Sequence, residues 1–277
     1  MTTLRVACVQ MRSGTEIADN IEAASALITE AAEVGATLIA TPEMTNLIDI
    51  RPGMGRAKAS PQTTCPALAA FRTLAAKHKI WLLIGSLAIA LEEEDRLVNR
   101  SFLIGPDGLI LATYDKIHMF DVSLDDGQTY RESKTYKAGD SATLAKTPLA
   151  TLGLTICYDL RFPALYRALA QAGANILTCP AAFTKVTGEA HWHTLLRARA
   201  IETGSFLLAP AQGGLHADGR ETYGHSLIVS PWGEIISELT GNEPGILVAN
   251  IDLSETIKAR TRLPSFTHDR AFELKNV

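Results

Sequence analysis

The stretch Leu149–Gly173, LATLGLTICYDLRFPALYRALAQAG, decides the reading of the fold. Its first part, Leu149–Cys157, is a short apolar run of strand length. Its second part, Pro163–Gln171, predicts a helix, because proline suits the first helical turn and Gly173 supplies a stop. A further apolar run, Ile176–Cys179, follows at once. Strand, helix and strand in succession call for a sheet with helices packed on it.

The same alternation extends in both directions. Towards the N-terminus, Leu4–Val9 predicts a strand and Thr15–Glu33 a helix, whose apolar stripe (Ile17, Ile21, Ala24, Leu27, Ile28, Ala31, Ala32) ends at Gly35. The strand Thr37–Ala40, the helix Pro66–Lys79 and the strand Trp81–Ala90 repeat the theme. Towards the C-terminus come the helix Glu189–Thr203, closed by Gly204, and the runs Phe206–Ala211, Ser226–Ser230 and Ile246–Ile251. In the middle, Val98–Ile104 and Leu109–Tyr114 flank Gly105-Pro106-Asp107-Gly108, a turn-rich linker that predicts antiparallel pairing. Pro231-Trp232-Gly233 is a second such turn. A mixed sheet covered by helices is the expected class. Phe120–Asp140 breaks the pattern: it is polar, poorly periodic and long, and loops of that kind tend to carry function.

The 277 residues are enough for a full core, and one domain spanning 1–277 is expected. Lys and Arg number 26 against 30 Asp and Glu, a net charge of −4, so no general positive field exists to draw a nucleic acid. The clusters Glu92–Asp95 and Lys258–Arg262 read as a solvated loop and a solvated helix end. The longest apolar stretch, Ile80–Leu91, is broken by Gly85 and Ser86 and falls short of the ~20 residues that span a bilayer. The opening MTTLRVACVQM lacks the organisation of a secretory signal, so a cytoplasmic protein is expected. Cys8, Cys65, Cys157 and Cys179 form no CxxC pair and no zinc-like cluster with the histidines, which predicts reduced thiols. No glycine-rich phosphate cradle follows any strand, so no nucleotide cofactor is indicated.

Three residues stand where strands run out: Glu43 in ATPEM, Lys116 in YDKIHMFD and Cys157 in LTICYDLRFP. Ligands gather at strand ends in open α/β sheets. Taken singly, each also has a plain structural explanation: a helix cap, a surface lysine, a core cysteine. His225-Ser226 lacks the GxSxG turn of a serine hydrolase, and His118 lacks the setting of a cysteine protease signature. Trp192 and His193 fit a core or interface stripe.

Together these contexts resemble the nitrilase superfamily of carbon–nitrogen hydrolases, from RVACVQM near the start to GILVANIDL near the end. The ordered set Glu43, Lys116 and Cys157 matches the family's Glu-Lys-Cys triad, and Glu132 in YRES matches the second glutamate beside the lysine. The resemblance implies a four-layer αββα sandwich of two mixed β-sheets flanked by helices. It implies dimers or higher homo-oligomers, for which Pro163–Gln171 and the tail Ile257–Val277 are the expected contacts. Glu43 would be the general base, Cys157 the nucleophile forming a thioester, and Lys116 with the backbone N–H of Tyr158 the oxyanion donors. A carboxylate beside a lysine is ordinarily too acidic for a base. Burial and Glu132 are therefore expected to raise Glu43 or hold the lysine elsewhere.

CYDLRFP, AAFTKVTGEAHWHTLLRARAIET and YGHSLIVSPWGEI are similar to the small-amidase branch called Nit proteins, which implies an amide of a short 2-oxo dicarboxylic acid as substrate. The loop FDVSLDDGQTYRES and the stretch RETYGHSLIVSPWG are closer to members that cleave deaminated glutathione, releasing 2-oxoglutarate and cysteinylglycine, than to ω-amidases acting on 2-oxoglutaramate. An N-carbamoyl-amine or biotin-type amidase would share the triad. A binding module that keeps the fold without the chemistry would be favoured by replacement of a triad residue, and none is replaced. Substrate carboxylates call for cations or N–H donors. Arg161 and Lys185 are the expected carboxylate contacts, with Phe183, Thr184 and His191 as further pocket residues. No step requires a metal or an organic cofactor.

Overall fold

The computed structural model describes residues 3–123 and 129–276. Residues 124–128 of the long polar segment therefore lie outside the described residues, as do the first two residues of the opening stretch and the last of the tail.

Two mixed sheets carry the fold. The first runs, in spatial order, Gly245–Asp252, Thr3–Gln10, Leu38–Ala40, Trp81–Ala90, Leu97–Ile104 and Ile110–Asp115, with the short Ser60–Pro61 beside Trp81–Ala90. The second runs Ile235–Glu238, Leu227–Val229, Phe206–Ala209, Ile176–Thr178, Thr151–Leu154 and Thr143–Lys146. In each sheet three central strands are parallel and both flanks are antiparallel. Parallel neighbours need crossovers long enough for a helix. These are Ile17–Glu33 and Pro66–His78 in the first half, and Pro163–Gln171 and Lys185–Thr203 in the second.

Alternation along the strands sets the layers. Leu4, Val6 and Cys8 join Leu38 and Leu83 in an apolar cluster that also contains Leu152, Leu154, Leu177 and Leu207 of the second sheet. Ala7, Val9 and Ile39 instead meet Ala24, Ile28, Leu68 and Phe71 from the helices. Tyr166, Leu169, Trp192 and Leu196 cover the second sheet. The result is the expected αββα sandwich. Each fully buried Leu or Phe contributes roughly 1.5–3 kcal/mol, so the repeated apolar faces hold the layers together. Among the described residues, no helix is long and apolar enough to cross a membrane.

Where boundaries differ from expectation, local chemistry explains it. The strand expected over Leu149–Cys157 is laddered only over Thr151–Leu154, because the Ile156 N–H goes to the Asp159 carboxylate and the Cys157 N–H to the Pro180 carbonyl. The helix expected to begin at Glu189 begins at Lys185. A Cβ on Gly188 would collide with the Tyr223 side chain, so this glycine serves close packing inside the helix rather than a turn before it. Glu92, Glu93 and Asp95 are exposed, as a solvated loop requires. Lys258–Arg262 is not wholly solvated: Arg260 donates to the carbonyls of Thr203 at 3.1 Å and Ala174 at 2.6 Å and ties the last helix to the second half.

Candidate active site

Glu43 lies just beyond Leu38–Ala40, a central strand of the first sheet, and Cys157 just beyond Thr151–Leu154 of the second. Lys116 follows the antiparallel strand Ile110–Asp115. The two parallel strands therefore aim their C-terminal ends at one place, and the hairpin returns the lysine to it. Gly85 makes the approach possible. A Cβ there would collide with the carbonyls of Thr41 and Pro42 and with Pro180, where the two sheets' loops meet.

The charged groups are tightly connected and nearly inaccessible. Oε1 of Glu43 accepts from Lys116 Nζ at 2.8 Å and from Asn99 Nδ2 at 2.8 Å, and Oε2 accepts from the backbone N–H of Ala182 at 2.8 Å. Lys116 also donates to both oxygens of Glu132, at 3.0 and 2.9 Å. Glu132 is anchored in turn by the Phe120 N–H at 2.7 Å. Glu43 and Lys116 are only 4% and 2% exposed, so their charges must satisfy one another. Short hairpin strands, Asp121–Ser123 and Thr129–Arg131, and the turn Glu132–Lys134 bring Glu132 to the lysine.

Burial pushes the Glu43 carboxyl upward, but the charge and hydrogen bond of Lys116, with hydrogen bonds from Cys157 and Asn99, outweigh it and hold Glu43 below the usual glutamate value. The expected upward shift of the base is not seen, and the lysine is not held elsewhere: it is shared between two carboxylates. Burial likewise lowers Lys116, and the charges of Glu132, Glu43 and Cys157 overturn that and raise it well above normal. The Cys157 thiol is driven well above its usual value, first by burial and next by the Glu43 charge; Lys116 opposes this. At rest the site therefore holds a neutral thiol beside an ionised carboxylate.

Cys157 sits in a strained backbone turn. Its φ of 49° is in the left-handed region, rare for a residue with a Cβ and often found where function fixes the chain. Two hydrogen bonds impose it, the Cys157 N–H to the Pro180 carbonyl at 2.9 Å and the Ile156 N–H to Asp159 at 2.8 Å. Asp159, fully buried, also accepts from the Tyr114 hydroxyl at 2.7 Å and the His118 N–H at 3.1 Å. The loop carrying Lys116 and the turn carrying Cys157 thus share one carboxylate. The His118 ring faces Asp159 at 2.7 Å and stacks on Phe162.

Glu43, Lys116, Glu132, Cys157 and Tyr158 all line a cavity of about 490 Å³, together with Phe183 and Thr184. That volume suits a small organic substrate. Arg161, Lys185 and His191 are not among the lining residues. Arg161 approaches His191 Nδ1 at 3.3 Å and lies over the Phe183 ring, 5.4 Å from its centre, while Lys185 is exposed and paired with Glu221 at 2.9 Å. In their place the cavity presents Arg51, Arg56, Arg131, Lys134 and Arg220. Trp192 is buried against Phe183, and His193 and His225 both bond Glu238, at 2.8 and 2.9 Å, away from the lining.

Asn99 and Ala182 are site residues that residue order does not reveal. Asn99 is a buried amide within the largely apolar strand Leu97–Ile104, a signal that a buried partner is waiting. Ala182 acts through its main chain, which leaves no trace in residue type.

The carbon–nitrogen hydrolase family model matches residues 5–261. A protein of Yersinia enterocolitica called deaminated glutathione amidase is 40% identical over 272 residues, which cover 98% of this chain and 94% of that one. The solved NitFhit protein of C. elegans superposes with a TM-score of 0.91 at 36% identity, over 98% of this chain and 66% of that longer one. An amidase from Nesterenkonia sp. AN1, solved after Michael addition of acrylamide at its active-site cysteine, superposes with a TM-score of 0.79 at 26% identity, over 94% of this chain and 98% of that one.

Proposed function

The chain belongs to the carbon–nitrogen hydrolase family, and we propose that it hydrolyses the amide bond of deaminated glutathione through a thioester on Cys157. The observation that carries the chemistry is the single buried cluster of Glu43, Lys116 and Cys157 at the floor of one cavity. The substrate reading is supported by the names of relatives near 40% identity over almost the whole chain.

Because the resting thiol is neutral, attack and deprotonation are coupled. As Sγ closes on the amide carbonyl, the thiol proton passes to Glu43, and the C–N bond then breaks as Glu43 returns the proton to the departing amine. Lys116 and the Tyr158 N–H, at the open end of the Cys157–Arg161 turn, stabilise the oxyanion. Water then attacks the thioester, losing a proton to Glu43, which restores the thiol and releases the 2-oxo acid. Glu43 therefore cycles between two protonation states. Lys116, Asn99 and the Ala182 N–H fix its direction, and the positive charge of Lys116 limits the cost of keeping it ionised inside the protein.

Glu132 holds Lys116 from the other side and so sets where its ammonium points. A reducing, cytosolic setting belongs to the same reading, in keeping with four buried cysteines that form no disulfide. Assembly into a homo-oligomer belongs to it as well.

The test is a side-by-side determination of kcat/KM for deaminated glutathione and 2-oxoglutaramate. The first is expected to be the better substrate. A higher value for 2-oxoglutaramate would reassign the protein as an ω-amidase, and no turnover of either would reject the substrate class.

A further inference from the structure

We propose that Arg220 forms an anion subsite in the catalytic cavity and takes the free carboxylate of a peptide leaving group, an inference that rests on the substrate reading above. Arg220 lines the same cavity as Cys157, and its Nε is buried without a hydrogen-bond partner. A buried N–H left unpaired on a charged group is costly, so such a donor marks a place where a ligand completes the bonding. Among the described residues, no carboxylate stands within ion-pair distance of this guanidinium. Three of the other cations of the cavity are already engaged, while Lys134 meets no carboxylate among the described residues and Arg56 donates to the Leu91 carbonyl at 3.4 Å. Arg51 is neutralised by Asp49 at 2.6 Å, Lys116 is shared by two glutamates, and Arg131 donates to the carbonyls of Val122 and Tyr130.

The surroundings hold Arg220 in place before any ligand arrives. It begins the strand side of a hairpin, Gly213–Leu215 with Glu221–Tyr223. Its carbonyl accepts from the His216 N–H at 2.8 Å, and its own N–H goes to Asp218 at 3.0 Å. The buried His216 ring pins the hairpin between the Ser13 carbonyl and the Thr222 hydroxyl, at 2.8 and 2.7 Å. Asp218 also receives the Ile50 N–H at 2.9 Å, which fastens the hairpin to the loop that follows Glu43. The guanidinium lies over the Tyr130 ring, 6.0 Å from its centre. A fixed, aromatic-backed guanidinium suits two-point recognition of a carboxylate.

The position assigns the end of the substrate. Glu43 hands its proton to the departing amine, so the amine lies on the Glu43 side. Met44, the next residue, touches the Tyr136 hydroxyl through its sulfur at 3.6 Å, and the charges of Glu132, Arg220, Glu43 and Lys116 all act on that hydroxyl. Met44, Tyr136 and Arg220 line the cavity together with Glu43, so an amine that takes the proton of Glu43 has Arg220 within the same walls. A dipeptide amine ends in a carboxylate that can reach such a subsite; ammonia has none.

The experiment pairs removal of the arginine with removal of the carboxylate. Wild type, Arg220→Gln and Arg220→Lys are assayed on deaminated glutathione, its C-terminal carboxamide and 2-oxoglutaramate. In wild type, the carboxamide should lose about 10 to 100-fold in kcat/KM, chiefly through KM, as expected for one charge-assisted pair. In Arg220→Gln the acid-to-carboxamide ratio should collapse towards one, and the preference for deaminated glutathione over 2-oxoglutaramate should fall by a similar factor. Arg220→Lys should recover part of both ratios. The inference is overturned if wild type treats acid and carboxamide alike, a result independent of any variant's folding. It is also overturned if Arg220→Gln leaves the two ratios unchanged. Absence of wild-type turnover on both peptide amides would instead remove the substrate reading, and this subsite with it.

Discussion

The backbone N–H of Ala182 donates to Oε2 of Glu43 at 2.8 Å, so a carboxylate supplied by the first sheet is aimed by the main chain of the second. The Cys157 N–H is bonded two residues earlier, to the Pro180 carbonyl at 2.9 Å. One short segment, Pro180–Ala182, thereby fixes both the Glu43 carboxylate and the turn that carries Cys157. Their separation follows from how the two sheets pack.

Glu43→Asp tests that alignment. The shorter side chain cannot bond Lys116 and the Ala182 N–H from the same backbone position, and a displacement of about 1 Å can cost on the order of 10² in rate. Steady-state kinetics should show kcat lowered by ~10² or more with the fold intact by circular dichroism. A loss below tenfold would mean that Glu43 is not held in a reactive position by these contacts.

Asn99 bears on the acidity of Glu43. Its amide is one of the donors that lower Glu43, and a donor to the charged form depresses a carboxyl. Asn99→Leu removes the donor, so Glu43 should rise and the acid limb of the kcat/KM profile should move to higher pH. A limb that stays in place, or moves down, would detach Asn99 from the titration of Glu43.

The brace through Asp159 makes a prediction about stability. Asp159→Ala leaves the Tyr114 hydroxyl and the N–H groups of Ile156 and His118 without their acceptor in a buried setting. Urea unfolding should show a loss of about 2–4 kcal/mol, and kcat should fall because the Cys157 turn loosens. Wild-type stability in this variant would show that the turn is held by other contacts.

The Glu43–Lys116 pair also sets a pH dependence of folding. Glu43 is depressed in the folded protein, so its contribution is fully present above the unfolded value of 4.5 and is lost as pH falls through the lower folded value. Lys116 is raised, so its contribution is present below the unfolded value of 10.5 and is lost only as pH climbs through the higher folded one. Between these limits neither group should tilt the stability curve. Denaturant midpoints measured from pH 3 to 7 should decline more steeply on the acid side for wild type than for Glu43→Gln; equal slopes would contradict the depressed carboxyl.

Residue order alone reveals much of this. The helix Pro163–Gln171 is framed by its own proline and glycine, and the strand Trp81–Ala90 by its apolar content, and both have the expected boundaries. Glu43, Lys116 and Cys157 are visible because each breaks an apolar run at its end. Nearness in sequence to Cys157 and Phe183 does not fix the direction of side chains as long and flexible as Arg161 and Lys185. Arg161 reaches towards His191, and Lys185 towards Glu221. Arg220 stands far from the triad in sequence and enters the cavity only because the hairpin is fastened to the Ile50 loop. The two sheets meeting at Gly85 are likewise a long-range fact that no local pattern records.

The covalent intermediate is the central claim, and mass spectrometry of acid-quenched enzyme tests it most directly. During turnover of deaminated glutathione, a 2-oxoglutaryl thioester should be found on the peptide containing Cys157, and Cys157→Ala should show neither the adduct nor turnover. Turnover retained by Cys157→Ala, or the acyl group found on Cys8, Cys65 or Cys179 instead, would contradict the mechanism.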